Sequence, residues 1–105
     1  MKLIKYAKLT AITVALIGAG TVSASEELAQ SSNCLACHNI DQKLVGPSFK
    51  EIAEKYSGDA GAVDTLVDKV KNGGGGVWGQ IPMPPNPAVS DEDAKALVEW
   101  LLSMQ

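Results

Sequence analysis

Between Phe49 and Leu102 the apolar positions recur at the spacing of a helix, not of a strand. Phe49, Ile52, Ala53 and Tyr56 stand at i, i+3, i+4 and i+7 and predict a short amphipathic helix that Gly58 ends. Val63, Leu66, Val67 and Val70 predict the next, over about 60–72. Asp59 caps it, Asn72-Gly73 terminates it, and Asp64, Asp68, Lys69 and Lys71 face outward. Ala94, Leu97, Val98, Leu101 and Leu102 make one stripe of a last helix, opened by Ser90-Asp91-Glu92-Asp93 in the form of a capping box. Upstream, Glu26 to about Ala36 can form a first helix with Glu26 and Glu27 in its first turn, where they complement the dipole. No period-two alternation and no repeat is present. The pattern predicts an all-α domain of four helices, the first and last packed together.

Two stretches lie outside this pattern. The first 24 residues open with Lys2, Lys5 and Lys8, continue uncharged from Leu9 to Ser25, and end on the small residues Val22-Ser23-Ala24. That is the form of a secretory signal peptide cut between Ala24 and Ser25. The competing reading is an uncleaved anchor, but the apolar run is shorter than the ~20 residues of a spanning helix and is broken by Gly18, Gly20 and Thr21. The second stretch, Gly73 to Val89, holds 17 residues without helix or strand pattern. Loops of that length in compact domains are functional or disordered, and Trp78, Ile81 and Met83 argue against disorder. Residues 1–24 are therefore read as a leader and 25–105 as one domain.

Without the leader, six lysines stand against 12 acidic residues. A domain so acidic is a poor ligand for nucleic acid, which needs a basic face. The domain is also small: a chain of this size buries only ~60% of its unfolded surface, and such domains usually need a staple.

The candidate staple is Cys34-Leu35-Ala36-Cys37-His38. The chain has two cysteines and one histidine, all within these five positions. C-x-x-C-H is the attachment signature of a c-type haem: each thiol can add to one vinyl group as a thioether, and the histidine is carried under the iron as proximal ligand. A thioredoxin-type switch wants a β-α-β context that is absent. A zinc site wants four ligands. A structural disulfide with an incidental histidine remains the plain alternative. Export agrees with the haem reading, since attachment needs thiols kept reduced in an otherwise oxidising compartment. A haem would serve as the apolar object around which the short helices pack.

With one histidine, a bis-histidine site within one chain is excluded. The domain offers Met83 and Met104, and Met104 sits at the end of the last helix. Met83 lies in Pro82-Met83-Pro84-Pro85, where prolines fix φ and donate no N–H. A thioether on so stiff a loop suits an iron ligand that stays put in both redox states, and a soft sulfur raises the potential. Ordinary core filling is the alternative fate of a methionine. Trp78 is either core or a donor to a haem propionate. Pro47 offers the nearest carbonyl to orient His38. Asn86 is either a turn residue or a donor to the Met83 sulfur. Gly73 to Gly76 are either a flexible run or a place where backbone approaches a flat cofactor.

Several stretches together resemble the small bacterial class I cytochromes c of the c-551/c-552 type. They are Cys34 to His38, Val45-Gly46-Pro47, Lys71-Asn72-Gly73, Gly76-Val77-Trp78-Gly79, Ile81 to Asn86 and Val89-Ser90-Asp91. They run through almost the whole of residues 25–105 in the family's order. The resemblance implies four short helices around one covalently bound haem c, with His38 and Met83 as axial metal ligands and Cys34 and Cys37 in thioethers. It implies that Pro47 orients His38, Trp78 binds a propionate, Asn86 bonds the Met83 sulfur, and Lys69 lies near a propionate. Pro87 is one residue more than the family carries before the last helix, an insertion that bears on where Asn86 sits.

The expected function is a soluble, monomeric periplasmic electron carrier and not an enzyme. By the resemblance, a quinol-oxidising cytochrome complex is its donor. A nitrite reductase, haem peroxidase or terminal oxidase is its acceptor. Leu35, Leu44, Val45, Pro82, Pro84 and Pro85 are candidates for an apolar docking patch at the haem edge. No nucleic acid and no stable membrane association are expected. Two other classes stay open on the residues alone: a haem-based gas-binding or sensing protein with a labile sixth ligand, and a thiol-disulfide protein without haem.

Overall fold

The computed structural model describes residues 21–104. The expected leader falls almost wholly outside them. Four α-helices follow in order: α1 (Thr21–Ser31), α2 (Phe49–Lys55), α3 (Ala62–Asn72) and α4 (Asp91–Leu102), with a 3₁₀ turn over Cys34–Ala36 between α1 and α2. Among the described residues the nearest approach to a sheet is one isolated antiparallel bridge, Gly74 with Met83. The all-α expectation holds.

α4 is the hub. It packs against α1, α2 and α3 alike, and its inward face buries Ala94, Leu97, Val98, Trp100 and Leu101. The core around it takes Ala29 from α1, Phe49 and Ile52 from α2, Leu66 from α3, and Val89 from the loop before α4. Trp100 completes a stripe that the apolar count above had closed with Leu102, which is only half-buried. Trp100 follows Leu97 by three residues and so shares its face.

Local chemistry sets the helix ends. Ser48 caps α2: its Oγ accepts the Glu51 N–H at 3.0 Å, and Glu51 Oε1 accepts the Ser48 N–H at 2.9 Å. The reciprocal pair accounts for a serine that is 1% exposed inside the domain. At α4, Ser90 Oγ accepts the Asp93 N–H at 3.1 Å. α3 begins at Ala62, two residues later than expected. Asp59 Oδ1 accepts from the Gly61 N–H at 2.8 Å, forming a turn ahead of the helix.

α1 departs from expectation. It is already helical at Thr21, the first described residue, so Glu26 and Glu27 lie within the helix rather than in its first turn. It stops at Ser31, because Asn33 takes a left-handed conformation (φ 67°), the usual way of stopping a helix with glycine or asparagine. The cysteine motif therefore occupies a separate tight turn.

Candidate haem-binding site

The 3₁₀ turn leads directly into His38. The Cys37 and His38 N–H groups both donate to the Cys34 carbonyl, at 3.2 and 3.0 Å. The chain then doubles back through Leu44, Val45 and Gly46, and the Gly46 N–H donates to the Cys37 carbonyl at 2.8 Å. This return places the Pro47 carbonyl oxygen 2.8 Å from His38 Nδ1. A carbonyl can only accept, so Nδ1 carries the proton and the lone pair is on Nε2. The imidazole is also stacked on Phe49, with centroids 5.3 Å apart and planes at 22°, and Phe49 meets Trp100 edge-on at 5.5 Å. Gly46 closes the arrangement: a Cβ there would lie 2.8 Å from His38 Cε1. The sequence singles out only the Pro47 carbonyl here. The signal for the glycine's own role is this missing side chain against the ring.

His38 opens onto a cleft lined among others by Cys34, Cys37, Met83, Trp78 and Lys69. Its remaining wall is mostly aliphatic and aromatic, and among the described residues no carboxylate side chain lines it. Both thiols are free and half-buried, and burial pushes the Cys34 thiol above its usual range.

The opposite wall comes from the loop 73–89. The Met83 N–H donates to the Gly74 carbonyl at 2.7 Å, and the Gly74 N–H returns to the Met83 carbonyl at 3.1 Å. Both backbone polar groups of Met83 are thus used. Gly73 permits the close approach: its φ is 76°, and a Cβ would fall 2.5 Å from the Met83 carbonyl oxygen. Met83 is half-buried and Trp78 is exposed, so Trp78 is rim rather than core. Lys69 is half-buried and reaches the cleft, contrary to the outward placement read from the periodicity.

Asn86 has a different partner from the expected sulfur. Its Nδ2 donates to the Val70 carbonyl at 3.0 Å and to the Pro84 carbonyl at 3.3 Å. Its backbone N–H also reaches the Val70 and Lys71 carbonyls. Two amide hydrogens serve two carbonyls, so the side chain stitches the loop to the C-terminal end of α3. Of the expected docking patch, Leu44, Val45, Pro82, Pro84 and Pro85 are exposed. Leu35 is half-buried and packs on the core. Val77 and Ile81 are exposed beside the cleft and were not anticipated.

Two thiols, an imidazole with one free nitrogen and a thioether line one large apolar cleft, and that donor set fits a covalently held iron porphyrin. A small helical domain built this way is a haem carrier of the cytochrome type. The comparisons agree. The cytochrome c family model matches residues 22–105, and the chain belongs to that family. It is 62% identical to cytochrome c-551 of Azotobacter vinelandii over 78 residues, covering 74% of this chain and 94% of that one. It is 52% identical to cytochrome c-552 of Nitrosomonas europaea over 91 residues, covering 87% and 88%. The crystal structure of wild-type Nitrosomonas europaea cytochrome c552 superposes with a TM-score of 0.75 at 52% identity, over 76% of this chain and 99% of that one. The fold is that of a class I cytochrome c, the cofactor is one covalently attached haem c, and the activity is electron transport.

Proposed function

We propose that the protein is a periplasmic shuttle in which His38 and Met83 are the two axial ligands and Cys34 and Cys37 the thioether links. The observation that carries this reading is the tautomer of His38. With Nδ1–H spent on the Pro47 carbonyl at 2.8 Å, Nε2 is the nitrogen left to ligate. A thioether from a doubly bonded loop lines the same cleft. Bound there, the haem supplies a one-electron ferrous–ferric couple. The chain's own contribution is to hold ligands still, exclude water and add a cation: Lys69 reaches a cleft that no carboxylate side chain lines among the described residues. The Trp78 indole N–H is assigned to a propionate, and Asn86 acts as a loop tie instead of a sulfur donor.

Residues 1–24 are proposed as a leader removed before Ser25, with 25–105 as the working domain. Among the described residues no helix is long and apolar enough to cross a membrane. The chain transfers electrons as a monomer and catalyses no conversion of its own. Leu44, Val45, Val77, Ile81 and the loop prolines, exposed around the cleft, form the docking patch. The donor is a quinol-oxidising cytochrome complex. The acceptor is a nitrite reductase, a haem peroxidase or a terminal oxidase.

The test is Met83→Ala in the exported, haem-loaded protein. The oxidised wild type should show a sulfur-to-iron charge-transfer band. The variant should lose it, bind carbon monoxide readily when reduced, and drop in reduction potential. A band that survives the substitution overturns the ligation.

A further inference from the structure

Lys55 stands in the last turn of α2, outside the cleft lining. Its ammonium is 5.6 Å from the Trp78 ring centroid and 6.0 Å from that of Tyr56. Lys50 and Lys71, by contrast, pair with carboxylates, Asp41 and Asp91. Trp78 needs an external hold. It lies in a 17-residue loop where the backbone cross-links on either side of it are the Gly74–Met83 pair and a Gly76 N–H to Gly79 carbonyl bond. Neither fixes the indole. A cation within about 6 Å of an aromatic face is attracted by the ring quadrupole, and this one is anchored on a helix whose capping serine and inward face are buried.

We infer that Lys55 is a positioning residue that clasps Trp78 and so closes the rim of the haem cleft, tying the loop carrying Met83 to α2. The clasp lies between the ammonium and the ring face. It does not depend on what the indole N–H bonds. If the propionate assignment fails, Trp78→Phe leaves the reduction potential unchanged while the effect of Lys55 persists.

The experiment compares wild type, Lys55→Met and Lys55→Arg as reduced, haem-loaded proteins. Methionine keeps most of the aliphatic stem and loses the charge; arginine keeps the charge. Exchange of each indole N–H with water is measured by NMR, the buried Trp100 serving as internal reference. Lys55→Met should speed Trp78 exchange about two- to fivefold, the scale of an exposed cation–π contact. Trp100 should be unchanged, and Lys55→Arg should restore the wild-type rate. The inference is overturned by any of three results: Lys55→Met matching wild type, Lys55→Arg exchanging as fast as Lys55→Met, or both tryptophans accelerating together.

Discussion

At the scale of single residues, the site depends on what stands next to the proposed ligands as much as on those residues themselves. His38 is held by three unlike contacts: an acceptor at Nδ1, a stacked phenyl ring, and a glycine that leaves room for its edge. Stacking of this kind adds about 0.5–1.5 kcal/mol beyond area burial. Gly46→Ala puts a methyl 2.8 Å from Cε1, so ring or loop must move. Such overpacking costs about 1–3 kcal/mol. The denaturation midpoint should fall accordingly. The reduction potential should rise as the Nδ1–H bond loosens and the imidazole becomes a poorer donor to ferric iron. An unchanged potential would mean that the loop, not the ring, gives way. That Cys34, Cys37, His38 and Met83 share one cleft was legible because their types are rare in this chain and their spacing is chemical. The Ser48–Glu51 pair is a plain sequence motif that went unread, hidden behind the more conspicuous Gly-Pro before it.

Among the elements, α2 and α4 were legible because their apolar residues keep helical spacing over two or more turns. The C-terminal end of α1 was not. Its acidic residues were placed by a dipole argument, whereas its stop depends on the backbone conformation of Asn33, which periodicity does not report. Lys69 was misplaced for a related reason. It follows Ala62 by seven residues and Leu66 by three, both buried, so it flanks the inward stripe and sends a long stem along it. The target of the Asn86 amide was beyond the sequence, since Val70 is 16 positions away. Gly73 joins α3 to the ligand loop. Gly73→Ala must strain a backbone at φ 76° and drive a Cβ to 2.5 Å from the Met83 carbonyl. Strain of that kind costs about 1–3 kcal/mol. The charge-transfer band of the oxidised variant should weaken or vanish at temperatures where the helices, followed by circular dichroism, are still intact.

For the molecule as a whole, the core among the described residues holds a dozen buried apolar residues, few for a domain with an apolar cleft between its helices. The helices meet one another mainly through α4, and the cleft is lined from α2, α3 and α4. A chain carrying Cys34→Ser and Cys37→Ser, made without haem, should lose most of its far-ultraviolet helical signal at 25 °C. Persistent native helicity would show that the polypeptide alone suffices.

That every other helix leans on α4 bears on the order in which the protein can be made. Cys34 and Cys37 leave the ribosome long before Asp91 does. Until the C-terminal segment arrives, the earlier helices have no common partner, and the thiols stay accessible on an open chain. The interval between those two arrivals is when an assembly factor can reach the cysteines. Premature termination anywhere before Trp100 removes the keystone while leaving the attachment motif untouched, so such a product could be given its pigment and still never fold.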